Sequence, residues 1–149
     1  MGITKNRQSE ETIINMAKHA FPEKQVAKIR ELTEGMCNVT YNILFQDGSE
    51  SILKIASKDK RGNLTNESNL MRAEVSAMKM VAKHCSFKVA DVQCYDSGNS
   101  ICDGSYFFME KLEGENLFLV KNKLSEEDDV ESNYSTLCVC SKSFLFSKV

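Results

Sequence analysis

The feature that most constrains the fold of this chain is an apolar stripe with helical spacing between residues 66 and 84. At about 100° per residue, four apolar side chains fall on one side of a helix over this range. One carboxylate, Glu74, lies in the middle of the stripe. An unpaired charge among apolar groups is costly, so Glu74 needs a cation or must face a polar cleft. The stripe consists of Leu70, Ala77, Met78 and Val81.

Lys54 is the nearest candidate partner for Glu74. It is the one ammonium on a short apolar strand, residues 52–55, that precedes the helix in the sequence. The alternative is that Lys54 faces water and that Glu74 lies at the edge of the apolar stripe. The two residues by themselves leave both alternatives open.

Composition and charge narrow the function classes. The chain has 149 residues, 42% of them apolar, which is enough for the core of one domain. A net charge of −2 provides no basic surface for nucleic acid. No apolar run approaches the length of a membrane span, and residues 1–11 show no secretory signal. We therefore expect a cytoplasmic protein that binds neither nucleic acid nor membranes.

The cysteines and histidines indicate neither a disulfide framework nor a metal site. The six cysteines are irregularly spaced and form no CxxC pair. The two histidines, His19 and His84, do not lie near a cysteine pair that would complete a zinc site. We therefore expect reduced thiols and no metal bound by this chain.

The remaining patterns predict an α+β fold in the order helix, three strands, helix, two strands. Ser9 is a suitable N-cap for a first helix over residues 10–20, and Pro22 ends that helix. Asp47 and Gly48 form a strong turn signal and predict a hairpin. We expect a twisted antiparallel sheet of about five strands, covered by one long helix and joined by an extra N-terminal helix. The predicted strands are residues 26–32, 41–45, 51–55, 89–95 and 105–112.

The character of the sequence changes near residue 128. An acidic run at residues 126–131, ordinarily a solvated helix start, precedes a segment rich in serine and cysteine. Residues 132–149 show neither helical nor clear strand periodicity. We expect residues 1–128 to form one domain. Residues 129–149 are expected to be a poorly ordered tail, or an edge segment whose exposed apolar residues favour aggregation.

Two further segments carry weak signals for nucleotide binding. Residues 32–41 connect two strands and contain glycine, asparagine and threonine, so their backbone N–H groups could meet a phosphate. Residues 105–114 run from an apolar strand into a polar segment, where free backbone groups could recognise an adenine edge. The alternatives are an ordinary hairpin turn and a buried strand that ends in a turn. Taken alone, each segment favours its alternative.

Together, four segments resemble the N-terminal lobe of the aminoglycoside phosphotransferase family, whose relatives include choline kinase and homoserine kinase. In such kinase-like enzymes, a strand lysine paired with a helix glutamate is held against the nucleotide phosphates. The resemblance covers roughly residues 10–128 and implies a kinase-like N-terminal lobe. The four segments are residues 32–41, 52–55, 71–75 and 107–114.

The resemblance implies a site for ATP. Lys54 would hold the α- and β-phosphates, and Glu74 would orient Lys54. The backbone of Glu110 would accept a hydrogen bond from the adenine amino group, and the backbone of Leu112 would donate one to the ring. The other implied contacts are Met109 behind the adenine and Asn38 and Thr40 near the phosphates.

The chain departs from the family where catalysis is concerned. It has no His-Gly-Asp segment, which supplies the catalytic aspartate, and no downstream Asp/Asn set for magnesium. The resemblance therefore implies the ATP-binding lobe of a small-molecule O-phosphotransferase that lacks its C-terminal lobe. We expect a truncated and inactive chain without catalytic residues, with the Mg²⁺ ligands in the missing lobe. A small hydroxyl-bearing substrate would bind only to a full-length form.

Two other functions stay open at this point. The chain could be a non-catalytic binding module, either a pseudoenzyme or a truncated product, whose exposed cleft face serves as an interface or forms oligomers. It could also be a plain α+β domain in which Lys54 and Glu74 face solvent and no nucleotide binds. A nucleotide titration with and without magnesium separates the ATP-binding lobe from the plain α+β domain.

Overall fold

The computed structural model describes residues 6–33, 38–56, 67–86, 88–98, 100–113, 115–116, 137–140 and 143–146. The predicted phosphate loop around Gly35 and the acidic run at 126–131 lie outside these residues. The elements follow in the order α1 (Glu10–Ala20), β1 (Val26–Leu32), β2 (Val39–Phe45), β3 (Glu50–Ile55), α2 (Glu67–His84), β4 (Val92–Asp96), β5 (Tyr106–Glu110), β6 (Glu115–Asn116), β7 (Leu137–Cys140) and β8 (Ser143–Phe146).

The chain divides into two compact units. The first comprises residues 1–73 and 92–111, and the second comprises residues 74–91 and 112–149. The first unit contains α1 and a five-stranded antiparallel sheet in the order β1-β2-β3-β5-β4. The second unit contains a three-stranded sheet in the order β6-β8-β7. The predicted α+β fold, with five antiparallel strands and two helices, is confirmed.

Local signals set both ends of α1. The Ser9 side chain accepts a hydrogen bond from the Thr12 N–H at 3.2 Å, which satisfies one of the unpaired donors in the first turn. At the other end, the Phe21 N–H donates to the Ala17 carbonyl at 2.8 Å, and Pro22 follows. The predicted bounds of α1 are therefore confirmed.

The turn between β2 and β3 forms as its sequence predicts. Gly48 has a φ of 82°, a conformation that glycine adopts without steric cost. The Asp47 side chain accepts hydrogen bonds from the backbone N–H and the hydroxyl of Ser49, at 2.9 and 2.6 Å. This tight turn fixes the register of β2 and β3, in which Thr40 lies opposite Lys54.

One face of the five-stranded sheet forms the main apolar core together with α1. Phe21, which directly follows the helix, packs edge-to-face against Phe45 and Phe108, each with ring centroids 5.3 Å apart. We call this side of the sheet the α1 face. The core between α1 and this face includes the buried side chains of Ile13, Met16, Ala17, Val39, Tyr41, Ile43, Phe45, Leu53, Ile55, Tyr106 and Phe108.

The buried side of α2 differs from the predicted stripe. Leu70 is 63% exposed and Ala77 is also exposed, so the predicted stripe is wrong for these two residues, whereas Met78 is buried as predicted. The buried stripe has i, i+4, i+7 spacing, shares Met78 with the predicted stripe and is centred roughly 90° further round the helix. Methionine adapts to irregular gaps, which favours this stripe. Glu74 is half-buried. The buried side chains are Met71, Val75 and Met78.

The later strands depart from the sequence prediction in their bounds and in number. β4 begins at Val92 rather than at residue 89, and β5 ends at Glu110 rather than at residue 112. Within residues 129–149, β7 and β8 pair antiparallel, although the sequence there shows no clear strand pattern. The boundary predicted at residue 128 stays a prediction.

Candidate functional site

Lys54 lies in the middle of a row of side chains that crosses three strands. In the register of the sheet, Thr40 on β2 and Phe107 on β5 are its two direct neighbours. Side chains that lie opposite each other in antiparallel strands share one face of the sheet. Because the adjacent Leu53 and Ile55 belong to the α1 face, this row lies on the other side. We call that side the Lys54 face.

The Lys54 side chain is buried. The residue is 7% exposed, and its Nζ lies 5.8 Å from the centroid of the Phe107 ring. This is within the range of a cation–π interaction. The alternative in which Lys54 faces water is therefore wrong. Lysine is rarely this buried unless it is paired, so its burial makes Lys54 a candidate functional residue.

Several other predicted site residues lie close to Lys54 in the sheet. Asn38 immediately precedes β2, so it lies at the same end of the sheet as Thr40 and Lys54. Met109 is buried and lies opposite Ile52, which puts its side chain on the Lys54 face. Four predicted residues therefore belong to one region of the first unit: Asn38, Thr40, Lys54 and Met109.

The remaining predicted residues surround the end of β5 or lie on α2. Glu110 is the last residue of β5, lies opposite Ser51 and is half-buried. Leu112 follows two residues later and is half-buried, as is Glu74 on α2. Leu112 and Glu74 belong to the second unit. The pairing of Glu74 with Lys54 stays a prediction, as does the contact of Leu112 with adenine.

Sequence reasoning missed a polar network on the Lys54 face. The Asn42 amide donates to Glu50 Oε1 at 3.1 Å, and Glu50 Oε2 forms an ion pair with Lys111 Nζ. The hydrogen bond from Lys111 lowers the pKa of Glu50 below its ordinary value, and the Asn42 amide acts in the same direction. An asparagine inside a mainly apolar strand was the available signal. Its partner became visible only with the strand register.

A buried hydroxyl ties the strands together beside Met109. Ser51 on β3 is 1% exposed, and its Oγ lies 2.6 Å from Gln93 Oε1 and 3.1 Å from the Met109 carbonyl oxygen. Gln93 sits at a register shift in β4, between Val92 and Cys94. The hydroxyl thus links three strands at the end of the sheet where the chain leaves β5.

The part of the chain that the structure describes contains neither a clustered metal site nor a membrane-spanning helix. In that part, no group of three or more His, Cys, Asp or Glu side chains is placed to hold a metal ion. Across the same residues, no helix combines the length and the apolar character needed to cross a membrane.

Comparison with known proteins places the fold. No family model and no curated protein matches the chain at the level of sequence. The chain is similar to the crystal structure of a protein assigned as an aminoglycoside phosphotransferase from Ralstonia eutropha JMP134, with 14% identity and a TM-score of 0.53. It is also similar to the GDP complex of aminoglycoside 2'-phosphotransferase-IIIa, with 15% identity and a TM-score of 0.52.

These similarities cover only part of the solved structures. In both cases 74% of this chain is matched, but only 30% and 33% of the other protein, so the chain spans about a third of their length. At such low identity the likeness shows the fold alone. The chain has the fold of the N-terminal lobe of kinase-like phosphotransferases, and the resemblance inferred from its sequence is confirmed at that level.

Proposed function

We propose that the Lys54 face binds ATP, as the nucleotide-binding lobe of a small-molecule O-phosphotransferase. The observation that carries this proposal is the burial of Lys54 on the side of the sheet opposite α1. The lobe-like fold supports it, as does the GDP complex of a phosphotransferase with a similar fold. A lysine ammonium held at a fixed position on a sheet is a suitable partner for the phosphates of a nucleotide.

The proposed roles follow the order of residues along the sheet. Lys54 meets the α- and β-phosphates, and Asn38 and Thr40 lie near the same phosphates. Met109 lies behind the adenine, and the Glu110 carbonyl accepts a hydrogen bond from its amino group. The two residues of the second unit complete the proposal: Glu74 orients Lys54, and the Leu112 N–H donates to the ring.

Catalysis is proposed to require more than these residues. Phosphoryl transfer depends on bound metal and on a residue that orients the acceptor hydroxyl. In this proposal, as the resemblance implies, Mg²⁺ and the hydroxyl-bearing substrate would be held by a C-terminal lobe. The contribution of this chain is to bind and orient the nucleotide. By itself, it should not phosphorylate a substrate at a useful rate.

The alternative of a non-catalytic interaction module gains little from the described surface. Two large apolar side chains are exposed there, Leu70 and Met80, and they are well separated along α2. Exposed apolar side chains that occur singly are ordinary in soluble proteins. They do not form a patch that would favour this function.

Equilibrium binding of ATP tests the proposal. The Lys54→Met variant removes the ammonium while keeping an apolar stem. Losing a charge-assisted hydrogen bond should weaken ATP binding by about tenfold to a hundredfold. Lys18→Met is the matched control, because Lys18 is exposed on α1 and loses the same charge. Equal ATP affinity of the wild type and Lys54→Met would contradict the proposal.

A further inference from the structure

A polar network crosses the sheet on the Lys54 face. It consists of Asn42 on β2, Glu50 at the start of β3 and Lys111 directly after β5, and we call it the Glu50 network. Glu50 bridges the other two, since one carboxylate oxygen accepts from the Asn42 amide and the other pairs with the Lys111 ammonium. Three consecutive strands of the sheet are thereby joined through side chains at one end.

The Asn42 side chain indicates that stabilising the fold is not the main role of the network. Asn42 is 7% exposed, and its Oδ1 has no hydrogen-bond partner among the residues that the structure describes. A buried acceptor without a partner costs stability, and leucine of similar size would avoid that cost. The amide nevertheless holds Glu50 through its Nδ2. Its presence is better explained by the orientation of Glu50 than by the stability of the core.

The position of Lys111 shows what the network holds. Lys111 lies between Glu110 and Leu112, the two residues whose backbone groups are proposed to meet the adenine. Both charged side chains are partly shielded, with 31% of the Lys111 side chain and 28% of the Glu50 side chain exposed. An ion pair that anchors the middle residue of a three-residue segment restricts the backbone on both sides of it.

We propose that the Glu50 network positions residues 110–112 for recognition of the nucleotide base. Asn42, Glu50 and Lys111 are positioning residues in this account, and none of them touches the nucleotide. The inference rests on the proposed nucleotide-binding function and adds a division of labour to it. Lys54 acts on the phosphates, whereas the Glu50 network acts on the base.

Adenosine and ATP distinguish the two roles, because adenosine has the base without phosphates. Lys111→Met and Glu50→Gln should each weaken adenosine and ATP binding by the same factor, about fivefold to tenfold. Lys54→Met should weaken ATP binding and leave adenosine binding unchanged. Lys24→Met is the matched control, since Lys24 pairs with Asp47 at 3.3 Å and is similarly shielded, with 28% of its side chain exposed.

Two further variants separate positioning from a merely structural role. Asn42→Leu should keep or raise the melting temperature, because it removes an unsatisfied acceptor, and yet weaken adenosine binding. Lys111→Arg keeps the charge, so it should retain most of the wild-type affinity for adenosine. A parallel loss of melting temperature and affinity in Asn42→Leu would overturn the proposal, since it would make the network structural.

The wild-type measurement separates failure of this inference from failure of the proposed function. If the wild type binds ATP and adenosine but Lys111→Met binds adenosine equally well, only the positioning role is overturned. If the wild type binds neither ligand, the proposed function fails, and the inference fails with it. Weaker adenosine binding in Lys111→Met and Glu50→Gln, with Lys24→Met unchanged, supports both.

Discussion

The two faces of the five-stranded sheet are built on different principles, although they alternate residue by residue along the same strands. On the α1 face, Ile43, Leu53 and Phe108 are fully buried among other apolar side chains. On the Lys54 face, Asn42 and Lys54 are almost as buried, at 7% exposure each, beside apolar side chains such as the fully buried Phe107. Burial of apolar groups stabilises a fold, whereas burial of amides and ammonium groups opposes it.

The difference indicates that the α1 face mainly stabilises the fold, whereas the Lys54 face carries the buried polar groups of the proposed site. Leu53 and Lys54 are neighbours in sequence with the same backbone conformation, so their surroundings differ only by the face they occupy. Residues on the α1 face stabilise the fold mainly through apolar packing. Polar residues on the Lys54 face lower stability unless their partners compensate them, which fits a role in binding. Separate measurements of stability and of binding for variants on each face test this comparison.

The largest expected effect on the free energy of unfolding comes from a substitution on the α1 face. Phe108→Ala should lower the free energy of unfolding by about 3–5 kcal/mol, because it removes a fully buried ring and leaves a cavity. Urea denaturation measures the loss, with Phe108→Leu as a control that retains most of the apolar volume. A loss below about 1 kcal/mol would show that the site collapses around the smaller side chain and that this core is not tightly packed.

A smaller and asymmetric effect is expected for Lys54 and Glu74 if they pair as predicted. Lys54→Met should cost about 0–1 kcal/mol, because the half-buried Glu74 carboxylate keeps access to water. Glu74→Gln should cost more, since it leaves the buried Lys54 ammonium without its predicted counter-charge. Thermal and urea melts of both variants and the double variant measure the coupling. Additive effects in the double variant would argue against the pair.

A further effect on stability should appear only in alkaline solution and again concerns the α1 face. The Tyr106 hydroxyl donates to Asp96 Oδ2 at 3.1 Å. Burial raises the pKa of Tyr106, and the nearby Asp96 charge raises it further. In the unfolded chain the phenol ionises near pH 10, so its contribution to stability is complete below that pH and is lost as the pH rises beyond it.

The Tyr106→Phe variant isolates this term. Above about pH 10, the free energy of unfolding of the wild type should fall more steeply with pH than that of Tyr106→Phe. Urea melts at a series of alkaline pH values measure both slopes. Tyr41 contributes in the same direction, because burial also raises its pKa, so the slope should decrease without vanishing. Identical slopes would contradict this account of Tyr106.

The sequence predicted correctly those elements that have strong local signals. The predictions failed where contacts with residues distant in the sequence determine the structure. The bounds of α1 and β1 follow from a cap, a proline and a strand pattern, all readable locally. The prediction of the buried side of α2 was displaced around the helix, because two overlapping apolar stripes occur on that helix and only packing selects between them. The strands β7 and β8 were missed because pairing, rather than residue alternation, defines them.

The candidate site was predictable only in part for the same reason. Lys54 stood out as a lone charge on an apolar strand, and the resemblance supplied its proposed role. The burial of Lys54 could not be derived from the strand pattern alone. Glu50 and Lys111 are far apart in the sequence, and each alone is typical of a solvated surface. The register of β3 and β5 brings them together.

The most direct test of the central claim is an ATP titration followed through the methyl groups on the two faces. NMR spectra of protein with labelled methionine and isoleucine methyl groups report each face separately. Met109 and Ile52 lie on the Lys54 face, whereas Met16 and Ile43 belong to the core of the α1 face. The account predicts ATP-dependent shifts at Met109 and Ile52, with Met16 and Ile43 unmoved. Shifts confined to Met16 and Ile43, or no shifts at saturating ATP, would contradict it.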